Sequence, residues 1–224
     1  MIETSKIVDL VSLFSPDYIV LDCDGTLYPD IFAVKKDFDQ LLSSYLQTKF
    51  NYSSDQCNEF IASNKIKFHT VSEIAACLQA GIDEQEFNEQ VISKISLNTI
   101  GINTSFNWQS ISEEIPIIIF TNNSSYFAHR IAIELGIDTR IIKIFGETEL
   151  YYYRKPDKRC FETVDSFIGG NAKVLYFDDD ISCLTTSKEF GWNTVLPVYK
   201  TLLDVKPTTS LDGILLKGAE NMAD

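Results

Sequence analysis

Two aspartates two residues apart close an apolar run and open a turn: Ile19-Val20-Leu21-Asp22-Cys23-Asp24-Gly25-Thr26-Leu27-Tyr28. In an extended segment, residues i and i+2 face the same side. Asp22 and Asp24 are therefore expected to leave the carboxyl end of a buried strand and point into one pocket. Like charges that close are costly unless a cation or a shared proton compensates. The arrangement suits a metal-assisted reaction with one carboxylate as nucleophile and its neighbour as proton donor. Read without that context, it is a loop with solvated acids.

The D-x-D-G-T run resembles the nucleophile motif of the haloacid dehalogenase (HAD) superfamily, whose aspartate-based phosphatases carry D-x-D-G/N-T. The continuation Leu27-Tyr28-Pro29 looks most like the branch containing pyrimidine 5'-nucleotidases. The resemblance implies a Rossmann-like core with a mobile helical cap. It also implies Mg²⁺-dependent hydrolysis of a phosphate monoester through an aspartyl-phosphate.

Three further segments follow in the family's order. Ile118-Ile119-Phe120-Thr121-Asn122 ends an apolar run in a hydroxyl, and a hydroxyl donor there can bind a transferring phosphoryl oxygen. Thr121 matches the family's Thr/Ser, with Asn122 as its companion; read alone, both are ordinary helix caps. Arg154-Lys155-Pro156-Asp157 resembles the family's Lys-Pro before a helix. A lysine near two aspartates offsets their charge, whereas Lys155 by itself reads as a surface lysine. Val174-Leu175-Tyr176-Phe177-Asp178-Asp179-Asp180 delivers acids from an apolar strand. Such acids need a cation or donors, and hard carboxylate oxygens suit Mg²⁺; the other reading is three solvated acids capping a helix. The family commonly follows this pair with Ser and, three residues later, Asn. Here Asp180 replaces that Ser and Cys183 stands where the Asn would be, which puts in question the hydrogen bonds around Lys155 and the loop.

What the resemblance implies is an attack by Asp22, with Asp24 as acid and then base. Thr121, Asn122 and Lys155 bind the phosphoryl group. Asp22, the Asp24 carbonyl, Asp178 and Asp179 hold Mg²⁺, with Asp179 the direct ligand of the last two. A nucleoside monophosphate is the first substrate; a sugar-phosphate phosphatase, a phosphomutase and a catalytically idle binding module are the alternatives.

These residues need elements to place them. Residues 2–15 predict a helix with Ile7, Leu10, Val11 and Phe14 on one face, and Tyr18–Leu21 a strand. From Phe32 to about Ile95 the pattern is helical. Phe38, Leu41, Leu42, Tyr45 and Leu46 form an apolar stripe, and Cys57, Phe60 and Ile61 form another. Two more helices, over Thr70–Ala80 and Asp83–Ile95, carry capping-box spacings, Thr70 with Glu73 and Asp83 with Glu86. Strands at Ile115–Phe120, Ile141–Phe145, Lys173–Phe177 and Asn193–Leu196 then alternate with helices at Ser125–Leu135, Asp157–Ile168 and Ser182–Phe190. That rhythm predicts an α/β fold, a Rossmann-like three-layer core around a parallel sheet. The expected division is a core of residues 1–28 and 101–224, with an all-helical cap inserted at 29–100. After Lys200 the signals are weak, with one short element expected around Gly213–Leu216.

Composition narrows the rest. The chain has 224 residues and a formal net charge of -13. That balance argues against a nucleic acid polymer or an anionic membrane as partner. A phosphorylated small molecule is the expected partner, so positive charge must be local. Five cysteines without a C-x-x-C pair predict reduced thiols. No apolar run is long enough to span a bilayer. A cytoplasmic monomer or homodimer is expected. His69 and His129, the two histidines, make a poor metal pair. Cys23 is expected in the core, Tyr151-Tyr152-Tyr153 as part-buried edge structure, and Lys35-Lys36 on a solvated face.

Overall fold

A computed structural model describes residues 4–29, 31–98 and 114–197. The expected element at Gly213–Leu216 lies outside the described residues. Helix α1 (Thr4–Phe14) leads into strand β1 (Tyr18–Leu21). Four helices follow: α2 (Ile31–Phe50), α3 (Ser54–Lys67), α4 (Glu73–Gln79) and α5 (Glu84–Gln90), with a short 3₁₀ turn at Ile92–Lys94. The βα rhythm resumes with β2 (Ile117–Phe120), α6 (Ser125–Glu134), β3 (Ile141–Phe145), α7 (Lys158–Ile168), β4 (Val174–Phe177), α8 (Ile181–Lys188) and β5 (Asn193–Val195).

The five strands form one parallel sheet in the order β3-β2-β1-β4-β5. Alternation along each strand divides the core into two layers. Ile19, Leu21, Ile117, Ile119, Leu175 and Phe177 face one side, where Phe127, Ala128 and Ile131 of α6 pack. Val20, Ile118, Phe120, Val174 and Tyr176 face the other, against Cys160, Phe161 and Val164 of α7 and Leu184 of α8. The expected α/β fold with a doubly covered parallel sheet is what the chain forms. Each large apolar side chain fully buried this way contributes about 1.5–3 kcal/mol.

Among the described residues, 31–98 contain helices and turns only. Their buried apolar residues (Val34, Phe38, Leu42, Tyr45, Leu46, Phe87) belong to one continuous cluster with the first of the two layers, as do Leu27 and Tyr28. Arg130 of α6 donates to the Ile92 and Ile95 carbonyls at 2.7 and 2.9 Å, tying the end of the helical segment to the sheet's cover. Of the two capping boxes expected here, neither closes as read. Ser72, not Thr70, caps α4 by accepting from the Ala75 N–H at 3.2 Å. The Thr70 hydroxyl instead accepts from the Ser72 N–H, and Glu73 pairs with Lys65. Asp83 does cap α5, but Glu86 pairs with Lys49. A full box forms at α3, between Ser53 and Gln56. Tertiary ion pairs take the glutamates that local spacing assigns to caps.

All five cysteines are buried free thiols, Cys23 among them. Lys35 pairs with Asp39 on an exposed helix face. Tyr151-Tyr152-Tyr153 is not edge structure: it forms a turn, with Tyr151 and Tyr152 at φ 54° and 63°. Among the described residues no helix is long and apolar enough to cross a membrane.

Candidate active site

The chain leaves β1 for β2 and β3 on one side, then returns to place β4 on the other. The carboxyl ends of β1 and β4 therefore flank a topological switch point, where open α/β sheets form their crevices. Asp22 follows β1 and Asp178 follows β4. The register pairs Leu21 with Phe177, and the Asp22 N–H continues it by donating to the Phe177 carbonyl at 2.8 Å. The two aspartates thus emerge side by side although their strands lie far apart in the chain. Thr121 follows β2, and its N–H donates to the Phe145 carbonyl at 2.9 Å.

Lys155 comes from the loop before α7 and is buried. Its Nζ donates to Asp22 Oδ1, Asp178 Oδ2 and the Phe120 carbonyl, each at 2.7 Å, and to the Tyr176 hydroxyl at 3.2 Å. Tyr176 in turn donates to Asp178 Oδ2, and the Asp180 N–H donates to Asp178 Oδ1 at 2.8 Å. Asp180 caps α8 through the Ser182 N–H. The departures at Asp180 and Cys183 therefore do not strip Lys155 of partners, because Tyr176 supplies a hydroxyl from β4 itself.

Asn122 grips the same loop. The Lys155 N–H donates to its Oδ1 at 2.7 Å, and its Nδ2 donates to the Lys155 carbonyl at 3.1 Å. Both ends of that carboxamide are thus engaged with main chain. Arg154 donates to the Asn122 carbonyl at 3.0 Å and to the buried carboxylate of Glu147 at 3.3 Å.

The second aspartate has a separate set of donors. Tyr28 donates its hydroxyl to Asp24 Oδ1. Asn123 Nδ2 reaches both Asp24 oxygens at 3.1 Å, and the Thr121 hydroxyl lies 3.5 Å from Oδ2.

Oxygens of Asp22, Asp178 and Asp179 lie within 4.8 Å of one another. Gly25, at φ 82°, lets the turn pass over this group; a Cβ there would sit 2.2 Å from Asp179 Oδ2. Three hard carboxylate donors fit a divalent cation such as Mg²⁺. Charge points the same way: four carboxylates converge around one buried ammonium. Burial pushes the Asp22 carboxyl up to about 8, with Lys155 pulling it down and Asp178 and Asp24 raising it further. Burial also raises Asp24, opposed by the Tyr28 and Asn123 donors. Asp179 is raised by burial and by Asp178. Burial works against the Lys155 ammonium, but Asp22 and Asp178 outweigh it and hold its affinity for a proton above the ordinary lysine value.

The structure therefore brings Asp22, Asp24, Thr121, Asn122, Lys155, Asp178 and Asp179 to one end of the sheet. Tyr28, Asn123 and Tyr176 belong to the same network and were not singled out from sequence. Tyr176 lies two residues before Asp178 in a strand, so alternation alone could have placed both on one face.

No family model and no curated protein matches the chain. Solved structures do resemble it. A candidate phosphoglycolate phosphatase from Lactobacillus plantarum is 16% identical, with 80% of this chain and 84% of that one covered and a TM-score of 0.49. A candidate HAD-family hydrolase from Bacillus subtilis, bound to magnesium, is 17% identical over 86% and 89%, with a TM-score of 0.47. A haloacid dehalogenase-like hydrolase from Streptococcus pneumoniae is 13% identical over 90% and 97%, with a TM-score of 0.42.

Proposed function

We propose that this chain is a phosphomonoester hydrolase of the haloacid dehalogenase type, working through an aspartyl-phosphate. The observation that carries the reading is the pair of differently held aspartates: Asp22 on the buried Lys155 ammonium, Asp24 on hydroxyl and amide donors beside Thr121.

Asp22 attacks phosphorus in line. As its oxygen–phosphorus bond forms, the ester oxygen–phosphorus bond breaks and Asp24 gives that oxygen a proton. Asp24 then takes a proton from water, whose oxygen attacks phosphorus, releasing phosphate and restoring Asp22. Thr121 and Lys155 hold the phosphoryl oxygens, and Asn122 fixes the main chain of Lys155. Asp22, the Asp24 carbonyl, Asp178 and Asp179 would hold Mg²⁺. When bound, the ion offsets charge on the transferring group. Of the acidic pair, Asp179 would be the direct ligand, since both oxygens of Asp178 already accept hydrogen bonds.

The helical segment, residues 29–100, acts as a cap that reads the leaving group. Support comes from Asn88 of α5, which is paired with Ser124 at 3.3 Å, next to the Asp24 ligand Asn123. A nucleoside monophosphate is the first substrate, on the Leu27-Tyr28-Pro29 resemblance to pyrimidine 5'-nucleotidases; a sugar phosphate is the second. The working compartment is the cytoplasm. A panel of phosphorylated metabolites with Mg²⁺, run beside 4-nitrophenyl phosphate, tests the reading. Phosphate release from the aryl ester and preference for a nucleoside monophosphate are expected. Absence of turnover on every ester overturns the enzyme assignment; a sugar-phosphate preference overturns the nucleotide one.

A further inference from the structure

We propose that Tyr28 is a positioning residue for proton transfer: its hydroxyl fixes the rotation of the Asp24 carboxyl group and commits Oδ2, rather than Oδ1, to the leaving oxygen. The inference rests on the phosphatase reading and gives Tyr28 a part in the proton transfer that the reading leaves to Asp24 alone.

Tyr28 lies four residues beyond Asp24 and is fully buried, its ring edge-on to Phe127 at 6.1 Å. The turn between them folds back on itself. The Gly25 N–H donates to the Tyr28 carbonyl at 3.0 Å, and Asp24 and Tyr28 form an isolated parallel bridge. That closure brings the phenol hydroxyl onto Asp24 Oδ1. The remaining donors do not break the symmetry in the same direction. Asn123 Nδ2 is 3.1 Å from each oxygen, and the Thr121 hydroxyl approaches Oδ2 alone, at 3.5 Å.

A carboxyl group turns easily about its last torsion, so its two oxygens exchange places unless something distinguishes them. A phenol can give one hydrogen bond, and here it gives it to Oδ1. Oδ1 accepts from the phenol, whereas Oδ2 faces the Thr121 hydroxyl, which can accept as well as donate, so the transferable proton belongs on Oδ2. Oδ2 is also the oxygen on the side of Thr121, the residue assigned to the phosphoryl group. Without the hydroxyl, Asp24 can turn its proton away from the ester.

The experiment compares Asp24→Asn, Tyr28→Phe and Tyr28→Met with the unmodified chain on two esters. The leaving group of 4-nitrophenyl phosphate departs with little protonation; that of a simple alkyl phosphate requires it. The readout is the ratio of kcat/KM for the aryl ester to that for the alkyl ester. Phe keeps the ring against Phe127, and Met removes ring and hydroxyl together. Both Tyr28 variants are expected to raise the ratio about tenfold through kcat on the alkyl ester, and Asp24→Asn to raise it further. A raised ratio in Asp24→Asn with an unchanged one in both Tyr28 variants overturns the role of Tyr28 alone. An unchanged ratio in Asp24→Asn overturns the acid assignment beneath it.

Discussion

Asn122 and Lys155 hold each other by two hydrogen bonds running in opposite directions, from the Lys155 N–H to Asn122 Oδ1 and from Asn122 Nδ2 to the Lys155 carbonyl. The carboxamide thus acts as a local template for the loop that carries the lysine. Asn122→Ala removes both bonds and leaves the Lys155 side chain intact. The loop then loses its main-chain anchor to the end of β2. A fall in kcat of about tenfold to a hundredfold is expected, since small misplacements of a charged group at a reacting centre cost that much. Steady-state kinetics check it; a loss confined to thermal stability, with kcat unchanged, contradicts it.

Asp22→Asn is nearly isosteric but removes the attacking oxyanion. Turnover should fall by at least about a thousandfold while the fold survives, because Lys155 keeps Asp178, the Phe120 carbonyl and Tyr176 as partners. Circular dichroism with single-turnover phosphate release checks both halves. Retention of a tenth of the activity would remove Asp22 from the role of nucleophile.

Lys155→Met should cost stability as well as activity. The ammonium bridges Asp22 and Asp178, both buried. Breaking such a pair by deleting one partner costs about 3–5 kcal/mol, since the remaining charge is stranded. Lys155→Arg should not rescue, because a planar fork cannot replace a compact ammonium among four acceptors. Urea unfolding of the three proteins reads this directly, and an unaltered midpoint for Lys155→Met would contradict it.

The chelated protein should lose stability as pH rises. Burial raises Asp22 to about 8 in the folded chain, far above its unfolded value. Between those values the folded state holds a proton that the unfolded chain has released, so the stability gained at low pH is lost as pH climbs toward 8. The raised Asp24, Asp179 and Glu147 act in the same direction. Mg²⁺ competes with these protons, so its stabilisation should be greater at pH 8 than at pH 5. Melting curves with chelator and with Mg²⁺ across this range test it. A chelated melting temperature that stays flat or rises, or an Mg²⁺ shift independent of pH, would be inconsistent.

The parts of this protein that depend on neighbouring residues were legible from its sequence. Ile117–Phe120 and Val174–Phe177 are short apolar runs of the kind that covered strands have, and α7 ends at Ile168, the last residue of the expected helix, with Gly169 at φ 95°. Asp22, Thr121 and Asp178 stand at strand ends for the same local reason. Partner choice was not legible wherever a side chain had both a near and a far option. Glu73 and Glu86 left their helix caps for Lys65 and Lys49, which come from other helices. The tyrosine run 151–153 has strand composition, but β3 ends before it and the chain must turn. Above all, only the order of the strands puts β4 beside β1. That adjacency lets one lysine serve Asp22 and Asp178 together and brings Tyr176 to it. Likewise, only the closing of the turn after Asp24 carries the Tyr28 hydroxyl back to Oδ1. Alternation and capping act over a few residues and are written along the chain. Strand order and loop closure are settled by packing between distant segments, so the hydrogen bonds that hold the two aspartates apart in role exist only in the folded protein.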